Sequence, residues 1–327
     1  MRNPRWLARR MAFYALAAWV AVSLNFAIPR LMPGDPATVM FARLQGELKP
    51  EAIDALRKSF GLSDGPLWQQ YFDYLTSIAA GDFGVSVAYF PAPVAEVIGT
   101  GLAWTVFLSG GSLVVSFLIG TSLGAWSAWR RGGVLDSVAP PMLALIGAFP
   151  YFWLAMVAAH VLGFGLGWFP LRHAYGSGVT PGLNGPFIVS AFQHAALPAL
   201  TLVVASLGGW TLSMRNTMIG VLGEEHVRFA DARGLPPVTV WWYAARTALL
   251  PNVTSFGMAL GFVLSGTLLT EIVFSYPGQG YLLIQAVRAQ DYALMQGIFL
   301  TITLAVLAAN LMVDLVNTFL DPRAVQS

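Results

Sequence analysis

Along the 327 residues the apolar positions fall into blocks too long for a soluble core. Residues 11–28 (MAFYALAAWVAVSLNFAI) carry no charge, Val97 to Trp129 is 33 residues without one, and Ser137 to Leu171 holds one ionisable side chain, His160. Three more blocks follow at 195–214, 247–270 and 292–313. Each can cross about 30 Å of hydrocarbon as a helix of about 20 residues. Helix is the form that pairs every backbone group of such a block within the block itself. The pattern therefore predicts an all-α polytopic membrane protein with six transmembrane helices. The first block is long for the apolar part of a signal peptide, and "IPRLMPGDP" follows it in place of a small-residue cleavage site, so it is read as a retained span.

The polar stretches divide the chain further. Residues 1–31 form a short N-terminus and the first helix, 32–96 a long external segment, and 97–327 a core of five helices with a loop at 221–250. In the external segment, "KPEAIDALRKSFGL" (49–62) has apolar residues at 53, 56, 60 and 62, and 66–84 interleaves Trp68, Tyr71, Phe72, Tyr74 and Leu75 with polar residues. Both predict helices at the membrane surface, packed on the outer ends of the spans or docking a partner. The outer loop 166–194 is rich in Gly, Pro and aromatic residues and names no chemistry.

Composition agrees with the spans and charge orients them. The chain is 56% hydrophobic and 10% charged, where a soluble domain carries about 25% charged residues. There is no Cys, which removes disulfides and thiolate metal sites. With the N-terminus inside, eleven basic residues (Arg2, Arg5, Arg9, Arg10, Arg130, Arg131, Arg215, Arg228, Arg233, Arg246 and Arg323) face five acidic ones there. Residues 30–96, outside, hold five basic and eight acidic. Basic loops stay in the cytoplasm, so both termini and the 221–250 loop are placed inside a cell membrane.

That loop is too short for a domain and too patterned for a linker. "EEHVRFADARG" sets Val227, Ala230 and Gly234 at helical spacing, with acids in the first turn and Gly234 as a stop. "PPVTVWWYAARTALL" opens on prolines, which suit a first helical turn, and brings Val238, Trp241, Trp242, Ala245 and Leu249 roughly to one face. Pro251 then punctuates the start of the fifth span. Two short helices with a turn at Gly234–Pro237 make a cytoplasmic knob suited to a groove on another protein. The alternative is a hairpin resting on lipid, anchored by Trp241 and Trp242.

"HVRFADARGLP" (226–236) and "AARTALLPNVT" (244–254) resemble the coupling (EAA) loop of ABC importer permeases, in the dipeptide/oligopeptide branch. The resemblance covers nearly the whole chain: "MPGDP" (32–36), 60–86, "FPYFWL" (149–154), "LGWFP" (166–170), "HAALPALTL" (194–202), "TEIVFSYPGQG" (270–280), "DYALMQG" (291–297) and "NLMVDLVNTFLDPR" (310–323) occur in the family's order. The chain departs from the general motif in having Arg228-Phe229-Ala230 where Glu-Ala-Ala begins it, as the peptide branch does, and in Pro236-Pro237 at the turn. The resemblance implies a type I importer permease fold. It implies a second homologous permease as partner, two ATP-binding subunits that hold ATP and Mg, an extracytoplasmic binding protein, and no cofactor or nucleic acid on this chain. It assigns Arg228, Ala230, Asp231, Ala232, Arg233, Gly234, Leu235 and Pro251 to the loop that the ATPase grips.

Chemistry beyond transport finds little support. A P-loop needs Gly-Lys followed by Ser or Thr, and neither Lys49 nor Lys58 follows a Gly. His160, His173, His194 and His226 are scattered with no metal spacing, and His160 reads as a hydrogen-bonded packing residue. Asp314 and Asn310, one turn apart, read as a polar pair packed on a neighbouring span. Glu271, with Gly278 in "YPGQG", is a candidate support for an outer gate. Gly120-x-x-x-Gly124 and Gly257-x-x-x-Gly261 permit close helix contact, within the chain or, at Gly257, with the partner permease. A secondary transporter would show more spans and buried coupling charges. Oligosaccharide, nickel or antimicrobial peptide remain alternative cargoes to di- and oligopeptides.

Overall fold

The computed structural model describes residues 4–31 and 66–320. The motif at 32–36, the amphipathic stretch 49–62 and the tail at 321–323 lie outside them. The described residues form helices and no strand, apart from one isolated bridge between Val85 and Pro93. The helices are α1 (Pro4–Leu31), α2 (Leu67–Ala79) and α3 (Val94–Thr105), which passes through a π-helical turn at Val106–Gly110 into α4 (Gly111–Trp129). Then come α5 (Val134–Gly147), α6 (Tyr151–Ala158) with a π-helical turn at Ala159–Gly165, α7 (Gly185–Leu222) and α8 (Glu225–Ala232). The last four are α9 (Pro237–Gly266), α10 (Leu268–Val273), α11 (Gln279–Ala289) and α12 (Tyr292–Leu320).

Four stretches are long and apolar enough to cross a membrane: Ala8–Ala27, Val94–Trp129, Gly185–Leu222 and Tyr292–Met312. The third expected span is not one straight rod. Val134–Gly147 and Tyr151–Gly165 meet at 95°, so the pair makes a fifth crossing only as a broken one. The cause is local, because Phe149 is held out of helical geometry by the ring of Pro150 that follows it. α9 contains the fifth expected block, but 262 and 264–266 are not among the residues whose side chains are described, so it stands outside that count.

The described residues group into two compact units. One draws on Met1–Thr105, Leu264–Leu268 and Pro277–Ser327, the other on Val106–Val263 and Leu269–Tyr276.

In the first unit α1 packs along α12, and α2 rests on the end of α1. Phe26 is buried between the rings of Tyr71 and Tyr74, with centroids 5.2 and 5.4 Å away. The Asn25 amide donates to the Tyr74 hydroxyl (3.0 Å) and to the Gln296 carbonyl (2.7 Å), and the Gln296 amide donates back to the Asn25 carbonyl (3.0 Å). The helix expected within 66–84 is thus present and caps its neighbouring span. Val94, Ile98, Leu282, Ala286, Leu294, Met295 and Ile298 form the core shared by α3, α11 and α12. Asp291 caps α12 by accepting from the Leu294 amide (3.0 Å). Its other oxygen accepts from the Ser86 hydroxyl (2.5 Å) and the Ala88 amide (2.9 Å), fixing the loop before α3.

In the second unit α4 lies against α7 through Gly120 and Gly124. A Cβ on Gly120 would meet the Trp210 Cβ, and one on Gly124 would meet the Thr211 carbonyl. Backbone approach this close is the use of small residues between helices in lipid, and it is intrachain. α7 has 38 residues, about 57 Å at 1.5 Å per residue, so it outreaches a hydrocarbon layer of about 30 Å.

This contact gives a test. Gly124→Leu is expected to destabilise the purified protein by about 1–3 kcal/mol through overpacking, lowering the apparent melting temperature in detergent. Gly209→Leu, at a glycine with open space around it, is expected to leave that temperature within a degree or two of the native value.

Candidate functional site

The loop at 221–250 holds the end of α7, all of α8 and the start of α9, and packs on the end of α4. α7 ends at Leu222, and α8 begins after Glu224 with Glu225 in its first turn, where a carboxylate favours the helix dipole. Val227 and Ala230, 2% and 5% exposed, turn inward. They join Ala125 and Ala128 of α4, Met214, Met218 and Val221 of α7, and Val240, Ala244, Ala245 and Ala248 of α9 in one apolar core. Burying Val227 alone contributes about 1.5 kcal/mol or more. The short α8 is therefore seated on packing that its own propensity could not supply.

The face of α9 differs from the expectation. The structure buries Val240, Ala244, Ala245 and Ala248, with Trp241 and Leu249 partly covered, and leaves Val238 and Trp242 76% and 58% exposed. The buried stripe is rich in alanine, and the bulkier Trp242 is turned out. Pro251 does not end a helix either. α9 runs through it from Pro237 to Gly266, losing one backbone bond at a position whose neighbours Ala248 and Asn252 are fully buried.

Gly234 makes the turn between α8 and α9. Its φ is +73°, its amide donates to the Asp231 carbonyl (2.8 Å), and the Leu235 amide reaches back to the Ala230 carbonyl (3.4 Å). No other part of the chain crowds a Cβ there, so within the chain it is the backbone conformation that calls for glycine. Pro237 opens α9 at the place where its missing amide costs nothing.

Of the expected loop residues, Arg228, Asp231, Ala232, Arg233 and Gly234 are exposed together along α8 and its turn. Ala230 is sealed in the core, and Leu235 is partly buried against it. Pro251 is exposed but lies well along α9. The sequence reading missed Phe229, 64% exposed on the same helix, with the Arg233 guanidinium 5.7 Å above its ring. The result is an apolar ring framed by charges of both signs, with a rigid seat behind it.

A second omission lies beside that seat. Asp136 and Arg215 read in sequence as ordinary cytoplasmic charges. In the structure Asp136 is 8% exposed and accepts from Arg215 Nε (2.5 Å) and the Ser127 hydroxyl (2.8 Å) on one oxygen, and from the Gly132 amide (2.9 Å) on the other.

Of the gate candidates, Glu271, 1% exposed, sits on α10, and Gly278 is buried just before α11. Burial, and then the Glu271 carboxylate, push the Tyr276 hydroxyl above the ordinary phenol range. Asp314 accepts from Arg10 (3.1 Å) and the Tyr14 hydroxyl (2.5 Å) on α1, with Asn310 half-buried one turn before it. His160 stacks on Phe164, with ring centroids 6.0 Å apart. Among the described residues no group of three His, Asp or Glu could hold a metal.

Residues 120–326 match the family described as binding-protein-dependent transport system inner membrane component, and 4–100 match its N-terminal membrane component. The chain belongs to this transport family. It is 34% identical, over 97% of both chains, to the probable D,D-dipeptide transport system permease of Escherichia coli. It is 33% identical to the di/tripeptide transport system permease of Pseudomonas aeruginosa, over 97% of this chain and 98% of that one. The oligopeptide transport system permease AppB of Bacillus subtilis is 32% identical over 92% of each.

The seat of this membrane component can be probed at two alanines. Ala230→Leu is expected to overpack the core at a cost of about 1–3 kcal/mol and to speed amide hydrogen exchange across 225–232. Ala232→Leu, on the exposed side, is expected to leave that exchange unchanged.

Proposed function

We propose that this chain is one of two homologous permease subunits of an ATP-driven importer of short peptides. The observation that carries the reading is the exposed edge of α8, held at fixed geometry by the core beneath it. A partner that pushes on α8 pushes on α4, α7 and α9 as well, because their buried side chains are continuous with its own. A ligand shifts a two-state protein only through unequal contacts with the two states, and a rigid lever lets ATP-driven closure make that difference.

In this reading two ATPase subunits bind ATP and Mg below the membrane, and one of them takes Arg228, Phe229, Asp231, Ala232, Arg233 and Gly234 into a groove. The chain hydrolyses nothing itself, in keeping with the absence of Gly-Lys in its sequence. Six helices cross the membrane, α9 being one and the broken pair α5–α6 another, with both termini in the cytoplasm. A binding protein outside delivers the cargo to the path between the two permeases. Glu271 and Gly278 support the outer side of that path, and Asp314 with Asn310 ties α12 to α1. Peptide is the favoured cargo because three permeases similar along nearly the whole chain carry dipeptide, di/tripeptide or oligopeptide in their names.

Sidedness and coupling are tested together. Since the chain has no Cys, single substitutions report cleanly. Val238→Cys is expected to react with a membrane-impermeant thiol reagent only after the membrane is opened, and to be protected when the ATPases are bound. Leu183→Cys, at a fully exposed outer position, is expected to react in intact spheroplasts. Labelling of position 238 from outside would sink the reading. Gly234→Val, forced to φ +73°, is expected to abolish ATP-dependent peptide uptake with the protein still in the membrane, and Gly234→Asn, which tolerates that conformation, to retain most of it.

A further inference from the structure

We propose that Asp136 and Arg215 form a latch that transmits the movement of α8 to α5, a positioning role that rests on the importer reading above. The two are 79 residues apart in sequence and 2.5 Å apart in space. One carboxylate gathers the end of α4 through Ser127, the α4–α5 turn through the Gly132 amide, the first turn of α5 through its own backbone, and α7 through Arg215. Four chain segments therefore meet at one side chain.

The placement gives this cluster its role. Arg215 follows Met214 on α7, and Met214 and Met218 are 2% and 0% exposed in the core that seats Val227 and Ala230 of α8. The same core takes Ala125 and Ala128, on either side of Ser127. Force on α8 reaches α4, α7 and α9 through this apolar packing, but no α5 residue belongs to the core. The polar tie from α5 to the inner ends of α4 and α7 is Asp136. A buried ion pair is a poor source of stability compared with apolar packing of the same volume. It is a good source of direction, because three donors on two oxygens fix the carboxylate in one orientation. The glycine contact between α4 and α7 does not depend on it, and farther along α5 packs on α7 at Leu143 and Gly208, so its loss leaves the bundle assembled and frees only the first turns of α5 to lag behind.

The importer is reconstituted in liposomes from this permease, its partner permease, the ATPases and the binding protein, and peptides imported per ATP hydrolysed are measured. Asp136→Asn and Arg215→Gln are expected to co-purify the ATPases in native amount and to hydrolyse ATP, with peptides per ATP falling at least tenfold. Asp136→Glu is expected to keep at least a third of the native ratio. A native ratio in Asp136→Asn overturns the latch, and so does a loss of uptake that merely follows a loss of assembled complex. Hydrogen exchange on the same complexes reads the latch without reference to cargo. Nucleotide is expected to change protection in both 225–232 and 134–139 of the native protein, and only in 225–232 of Asp136→Asn. Equal changes in both segments of the variant refute the latch even if peptide proves not to be the cargo. Native liposomes that import without ATP, by contrast, refute the importer reading.

Discussion

The alanine-rich packing of α8 with α4, α7 and α9 is the constraint on which the 221–250 loop depends. An eight-residue helix with two buried side chains has no stability of its own. It persists because Val227 and Ala230 pack in one buried cluster with Ala125 and Ala128, with Met214, Met218 and Val221, and with Ala244, Ala245 and Ala248. The same packing determines what remains outside. With Val227 and Ala230 turned in, helical geometry turns Arg228, Phe229, Asp231 and Ala232 out, so one act of burial creates the seat and orients the surface.

Much of this was legible in the sequence because its signals are local. Uncharged runs longer than a bilayer is thick allow few structures, and they marked four described crossings. The pair Val227 and Ala230, the acid in the first turn and the glycine stop gave α8 to within a residue or two. Gly234 reads in the sequence as a helix stop, and its φ of +73° shows the left-handed turn that makes it one.

What stayed hidden depends on partners remote in the chain. Periodicity grouped Val238 and Trp242 with Trp241, Ala245 and Leu249 on one apolar face of α9, yet the face the chain buries is centred on Val240, Ala244, Ala245 and Ala248, which pack with Met214, Met218 and Val221 of α7. Pro251 reads as a helix end, and the packing of Ala248 and Asn252 carries the helix through it. A proline did break the chain at Pro150, where the preceding Phe149 is only half covered and no core holds it in helical form. Asp136 and Arg215 looked like ordinary members of the cytoplasmic charge count, and nothing in their sequence neighbourhoods announces that they meet.

The length of α7 has a mechanical consequence. A rod of 38 residues, about 57 Å long, converts a small angle at one end into a large excursion at the other. A tilt of about 5° pivoting near Asn184 would carry the Leu222 end sideways by about 5 Å, close to one helical turn. Rotations that barely disturb the packing near Asn184 are thus enough to shift the Leu222 end past its neighbours.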